Sequence, residues 1–185
     1  MNSPVRDKRL DVKLVLFDVD GVLTDGTLFV SGSGEIYKAF NAKDGVAVSL
    51  LKNNHIGAGV ISGKDSPALR YRAKQLGMDS IKLGVSDKVK ALHEIIACYG
   101  ITYENVCFVG DDIVDYDVMS RVGVSYAPSD AHPLIKNLAS FVTISPGGKG
   151  VAREVAEDIL HAQGMTLEEM YRYILNKSNL ESVMQ

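Results

Sequence analysis

Short apolar runs of strand length recur along this chain at 14–17, 57–61, 81–83, 105–109, 123–127 and 140–144. Each stops at Gly, Asp, Ser or Pro, the pattern of strands buried on both faces of a parallel sheet. Between them, apolar residues fall at helical spacing. A first helix follows Asn41 and runs to about Asn54, with Val46, Leu50 and Leu51 on one face. A second opens at Ser66-Pro67 and stops at Gly77, proline being tolerated in the first turn and glycine closing the last. A third is capped by Ser86, carries Lys88, Leu92, Ile95 and Ile96, and ends at Gly100. Further helices are expected up to Arg121, from Ser129 or Asp130, and beyond Gly150 with Val151, Val155, Ile159 and Leu160 on one face. One segment breaks the alternation. Residues 27–40 hold two β-prone runs around Ser31-Gly-Ser-Gly34, which reads as a hairpin projecting beside the end of the first strand. After Gly164, Thr166-Leu-Glu-Glu169 is a capping-box pattern for a short helix, whose Met170, Tyr171 and Tyr173 are expected to pack against a neighbour. Strands alternating with helices predict an α/β fold, a three-layer sandwich around a Rossmann-like parallel sheet. One domain is expected over residues 1–185, with its core at about 12–163 and a tail from 164 to 185.

Composition narrows the class. The 185 residues are 46% hydrophobic and 23% charged, enough apolar material for a substantial core. A net charge of -3 offers no basic excess for nucleic acid. No apolar run is long enough to span a membrane, and the opening residues lack the apolar stretch of a signal peptide. Cys98 and Cys107 form neither a metal-ligand pair nor a disulfide framework. Both lie in apolar segments, so buried thiols in a reducing cytosol are expected. The chain therefore reads as cytoplasmic.

The chemistry-bearing residues sit where the apolar runs end. Asp18 and Asp20 follow the first strand, Ser62 and Gly63 the second, and Asp111, Asp112 and Asp115 the fourth, with Lys88 near a helix start. In a parallel sheet these ends share one edge, where ligands bind. Any single piece could be an acidic turn. Together, crowded carboxylates call for a cation, and oxygen-only ligands suit Mg²⁺ better than zinc. A lysine and a serine hydroxyl beside that cation suit a phosphate. An aspartate there is a candidate nucleophile, and a second two residues on a candidate acid/base.

These residues resemble the four motifs of the haloacid dehalogenase superfamily of phosphatases: Asp18-Val-Asp20-Gly-Val-Leu-Thr24, Ser62-Gly63, Lys88 and Gly110-Asp111-Asp112-x-x-Asp115. The resemblance implies Asp18 as nucleophile and Asp20 as general acid/base. It implies Mg²⁺ held by the carboxylates of Asp18 and Asp111 and the backbone carbonyl of Asp20, and Ser62 and Lys88 on the phosphoryl group. Asp112 and Asp115 would order the metal's surroundings or position Lys88, with Asp112 ranked first. No stretch between these motifs has room for an inserted cap domain, so a neighbouring subunit's hairpin is expected to close the site. Thr24-Asp25-Gly26, Phe40-Asn41-x-Lys43-Asp44-Gly45, Gly84-x-x-Asp87-Lys88, Asp130-Ala-His132-Pro133 and Gly147-Gly-Lys149-Gly-x-x-Arg153-Glu154 extend the match. They resemble the family of 3-deoxy-D-manno-octulosonate (KDO) 8-phosphate phosphatases. That likeness implies hydrolysis of a sugar-acid phosphate through an aspartyl-phosphate, service in lipopolysaccharide synthesis, and a homotetramer. It implies a substrate pocket lined by Asn41, Ala42, Lys43, Asp44, Gly45, Gly63, Lys64, Arg72 and Lys88. Two positions depart from the family pattern: Lys64 and Ser49 stand where arginines are common, which leaves a related nonulosonic acid phosphate open as substrate. A non-catalytic oligomerising domain would not require Asp18, Asp20, Ser62, Lys88 and Asp111 together. A phospho-receiver domain would place its acceptor on the third strand.

The remaining polar residues read plainly. Asp25, Asp44 and Asp65 suit caps or turns, and His132-Pro133 a helix start. His55, His93 and His161 read as surface residues. Gly147-Gly-Lys-Gly lacks the spacing of a phosphate-binding loop and reads as a family loop.

Overall fold

Alternation inside the buried strands decides how the sheet is covered. In β1 (Leu14–Phe17) all four side chains are buried; Leu14 and Leu16 enter one apolar core, Val15 and Phe17 the other. β6 (Val106–Val109) repeats the division, with Val106 and Phe108 on the first side and Cys107 and Val109 on the second. A strand with two buried faces needs helices on both, and the computed structural model, which describes residues 6–32 and 34–176, places them so. β4 (Gly57–Ile61), β5 (Ser80–Lys82), β7 (Val124–Ala127) and β8 (Phe141–Val142) complete a six-stranded parallel sheet of order β5-β4-β1-β6-β7-β8. On one face lie α1 (Ala42–Asn53), α2 (Pro67–Gln75), α6 (Val151–Ala162) and α7 (Leu167–Leu175). α3 (Lys88–Tyr99), α4 (Tyr116–Met119) and α5 (Pro133–Leu138) cover the other. Outside the sheet stands the hairpin of β2 (Phe29–Ser31) and β3 (Gly34–Tyr37). The fold is the expected three-layer α/β sandwich, with no cap between its motifs. Among the described residues no helix is long and apolar enough to cross a membrane.

Strand order reverses beside β1, whose neighbours β4 and β6 are reached by connections running in opposite directions. The crevice beyond the carboxyl ends of these three strands is the topological switch point, where open α/β sheets bind ligands.

Several local expectations change. Ser86 does not cap α3; Asp87 does, accepting from the Lys90 N–H at 2.9 Å. The helix expected from Ser129 or Asp130 begins instead at Pro133 under a His132 cap, because the Asp130 carboxylate is taken by the Gly147 N–H. The stretch after Asp111 forms a 3-10 turn and one turn of α4 rather than a continuous helix to Arg121. β8 pairs over two residues only. Ser66, not Asp65, caps α2, while Asp65 pairs with Arg70. Cys98 is exposed on the outer side of α3; only Cys107 is buried. Met170 is buried in this chain's own core, with Tyr171 and Tyr173 packed against it, so that cluster is already covered without a neighbour. The capping box at Thr166 and Glu169 is present. Ser33 in the hairpin turn, residues 1–5 of the opening stretch read for a signal peptide, and residues 177–185 of the tail lie outside the described residues.

Candidate active site

β1 delivers Asp18 to the switch point. Its N–H continues the sheet ladder, donating to the Val109 carbonyl at 2.9 Å, so the carboxylate is fixed at the strand end and is almost fully buried. The chain then turns at Gly21, with φ of 90°, a conformation that favours glycine. A Cβ there would lie 2.0 Å from Asp111 Oδ2. Glycine thus lets the loops after β1 and β6 touch. A matching approach holds from the other side: a Cβ on Gly147 would lie 2.1 Å from the Gly21 carbonyl, and the Gly148 N–H donates to Val22 at 2.9 Å. The glycine run packs against the acidic motif as a backbone brace.

Asp18, Asp20, Ser62, Gly63, Lys64, Lys88, Asp111 and Asp112 line one cleft of about 430 Å³. Gly26, Val85, Ser86 and Val114 complete its walls. Lys88, buried at the first turn of α3, lies 2.8 Å from Asp18 Oδ1 and 2.6 Å from Asp115 Oδ1. Burial pulls its pKa down, but these two carboxylates outweigh burial and hold the ammonium above its usual value. Burial, then the charge of Asp115, pushes the Asp18 carboxyl up to about 6 despite Lys88. Asp111 is pushed further, to about 8, by burial and then by the charges of Asp18, Asp115 and Asp112.

Crowded carboxylates held this high mark a place for a cation. Asp18, Asp111 and Asp115 each bring an oxygen within 4.8 Å of the others. Asp115, however, is committed elsewhere: fully buried, it accepts from Lys88 Nζ at Oδ1 and from the Asp111 N–H at Oδ2. Asp111 Oδ1 is buried without any hydrogen-bond partner. Asp18 and Asp111 are therefore the carboxylates left for a metal, and an all-oxygen set fits a hard divalent cation. Asp112, ranked above Asp115 by sequence, is exposed and spends an oxygen on the Ile113 N–H. Asp115 is the one that holds Lys88.

The residues expected around the substrate divide. Gly63, Lys64 and Lys88 line the cleft. Asn41 and Ala42 instead line a separate depression with Phe40, Asp25 and Lys149. Lys43 is exposed outside the cleft. Asp44 is buried, accepts the Ala152 N–H at 3.2 Å and so caps α6 rather than its own helix, which Asn41 caps. Burial raises its carboxyl to about 6. Arg72 donates to Gln75 and to the Asn41 carbonyl, and Gly45 packs beside it. Ser49 faces neither cavity.

One residue was missed. Lys38, just past β3, has a side chain 1% exposed and places Nζ 2.5 Å from Asp20 Oδ1. The only sequence signal was a lysine in an otherwise β-prone run next to the acidic motif.

Comparison with known proteins places the chain among enzymes. Residues 78–155 match the haloacid dehalogenase-like hydrolase family. The 3-deoxy-D-manno-octulosonate 8-phosphate phosphatase KdsC of Yersinia pestis is 40% identical over 165 residues, 87% of this chain and 88% of that protein. The cobalt-bound structure of the corresponding phosphatase from Haemophilus influenzae is 35% identical with a TM-score of 0.84, covering 97% of this chain and 100% of that one. The Moraxella catarrhalis phosphatase, solved with magnesium, phosphate and KDO, is 33% identical with a TM-score of 0.81, covering 85% of this chain and 90% of that one.

Proposed function

This chain belongs to the haloacid dehalogenase-like hydrolases, and from that membership we propose that it is a Mg²⁺-dependent phosphatase of 3-deoxy-D-manno-octulosonate 8-phosphate, releasing KDO and phosphate for lipopolysaccharide synthesis. The observation that carries the reading is the convergence of Asp18, Asp20, Ser62, Lys88 and Asp111 on one cleft, in a chain 40% identical to an enzyme of that name.

Mg²⁺ would be held by the carboxylates of Asp18 and Asp111 and the carbonyl of Asp20, and when bound it neutralises the charge that otherwise keeps a phosphate away from three carboxylates. Asp18 attacks phosphorus, the bond to the sugar oxygen breaks, and Asp20 gives that oxygen a proton. Asp20 then takes a proton from the water that attacks the aspartyl-phosphate, and phosphate leaves with Asp18 restored. Lys88 and the Ser62 hydroxyl hold the phosphoryl oxygens as their charge shifts. Asp115 keeps Lys88 aimed at Asp18. Lys64, 3.9 Å from Asp20, adds positive charge near the leaving group, suited to a substrate that carries a carboxylate. Asn41, Ala42, Lys43, Asp44, Gly45 and Arg72 belong to the substrate side of the proposal through the family likeness, although within one chain they lie beside the cleft. The proposal includes a cytoplasmic homotetramer, in which neighbouring hairpins exclude water from clefts that no cap covers.

The test is phosphate release with Mg²⁺ from a panel of octulosonate, nonulosonate and hexose phosphates. Preference for the octulosonate supports the assignment. A preference for a nonulosonate transfers it to that sister substrate, and equal turnover of all sugars refutes the sugar-acid reading.

A further inference from the structure

A lysine from the hairpin is built into the reaction centre. Lysine is almost never fully buried unless paired, and Lys38 is paired twice: with Asp20 Oδ1 at 2.5 Å and with Glu35 Oε2 at 3.1 Å. Glu35 lies on β3, so its charge offsets that of Lys38 within the hairpin and holds the ammonium at the hairpin's base. Thr24 Oγ1 lies 3.4 Å from the same Asp20 oxygen and shares its one proton between it and the Val19 carbonyl at 3.3 Å. With Lys38 on Oδ1, Oδ2 is the oxygen nearer Lys64, another side chain of the cleft wall. An aspartate's terminal torsion is broad and two-fold, so an unheld carboxylate would sample many rotations.

We propose that Lys38 is the positioning residue for Asp20, holding Oδ1 so that Oδ2 is the oxygen presented to the leaving group and to the attacking water. This rests on the reading of Asp20 as the acid/base. The hairpin then has a task inside its own subunit: it closes the rotational freedom of a group that must meet the sugar oxygen within hydrogen-bond reach.

The test separates proton transfer from everything else by changing the leaving group. A sugar oxygen must be protonated as it departs, whereas p-nitrophenolate leaves without a proton. Lys38→Met is expected to lower kcat on the sugar-acid phosphate by about 100-fold, the scale of a small misplacement, while KM changes little. With p-nitrophenyl phosphate, the first turnover of p-nitrophenol should stay close to wild type. Later turnovers should slow, because hydrolysis of the aspartyl-phosphate still needs Asp20. Lys38→Arg should restore part of the loss. Equal loss with both leaving groups in the first turnover, a change in KM alone, or unchanged kcat would overturn the proposal. Should Lys38→Met fail to fold, Glu35→Gln, which loosens Lys38 without removing it, must show the same division between leaving groups; uniform loss again overturns it. If the wild type prefers a different alkyl phosphate, the substrate assignment fails. The Lys38 comparison then runs on that phosphate and is decided separately.

Discussion

Asp111→Asn should make the metal-free protein more stable and the enzyme inactive. The Asp111 carboxyl titrates at 3.8 in an ordinary setting and at about 8 in the folded chain. The folded state therefore keeps a proton that the unfolded chain gives up. Its contribution to stability is fully present below pH 3.8 and is lost as pH rises through about 8. Above that pH the folded chain carries an unneutralised carboxylate beside Asp18, Asp115 and Asp112. The shift of about four units has a ceiling of roughly 6 kcal/mol at 1.36 kcal/mol per unit. The side chain is only partly buried, and solvent screening reduces what is realised to about 2 kcal/mol. Asparagine removes the charge and keeps the shape that Gly21 makes room for.

Thermal unfolding in a chelator, read by circular dichroism across this pH range, measures the effect. For a chain of this size, about 2 kcal/mol corresponds to a rise in Tm of about 4–8 °C. The rise should appear near pH 8 and vanish near pH 4. Excess Mg²⁺ should reverse the order: a ligand at a hundred times its Kd stabilises by about 2.7 kcal/mol, a gain open to the wild type and denied to Asp111→Asn. A variant no more stable than wild type at pH 8 without metal, or one that Mg²⁺ stabilises as much as wild type, would refute the reasoning.

Other changes probe the same centre. Asp115→Asn should cut activity severely while Asp112→Asn cuts it mildly, because only Asp115 holds Lys88; the reverse order in steady-state rates would contradict that assignment. Lys88→Met leaves Asp18 and Asp115 buried without a cation and should destabilise the metal-free fold by about 3–5 kcal/mol at neutral pH. The loss should shrink as pH falls, beginning above pH 6, because Asp18 is held at about 6 with Lys88 lowering it and higher once Lys88 is gone; a loss that does not vary with pH would count against it. Gly21→Ala combines a φ of 90° with a Cβ 2.0 Å from Asp111. It should cost about 1–3 kcal/mol and abolish stabilisation by Mg²⁺; a wild-type response to Mg²⁺ would argue against the close approach.

What the sequence revealed follows from how local each signal was. β1 was legible because both of its faces are buried, so an unbroken apolar run could mean little else. The convergence of Asp18, Ser62 and Asp111 followed from parallel strands sharing one edge. Details that depend on which neighbouring polar group wins a backbone N–H were not legible. Ser86 and Asp87 are both good caps, and Asp130 left its own helix for Gly147. Cys98 lay in an apolar segment, yet helical rotation carries it to the outer side of α3 while Ile95 and Ile96 face the core. Asp115 outranks Asp112 because a 3-10 turn swings it back under Lys88. Lys38 depended on the hairpin folding back over 18 residues to reach Asp20, which no periodicity encodes.

The hairpin also bears on assembly. Leu28, Phe29, Val30, Ile36 and Tyr37 on and beside it are exposed, Leu28, Phe29 and Ile36 by nearly half of their surface and Val30 and Tyr37 by 64% and 68%. A two-stranded hairpin is marginal in isolation, and apolar side chains this exposed on one suit burial against a partner. Lys38 ties its base to Asp20. Burial of Phe29 and Val30 between subunits would stabilise by about 1.5–3 kcal/mol for each side chain, offsetting the hairpin's own ordering cost. Under the tetramer proposal, Val30→Asp should shift sedimentation toward smaller species and lower activity together, since an unburied hairpin no longer excludes water from the cleft. Wild-type protein that sediments as a stable, fully active monomer would remove the need for a neighbour, and closure would then rest on the Lys38 contact within one chain.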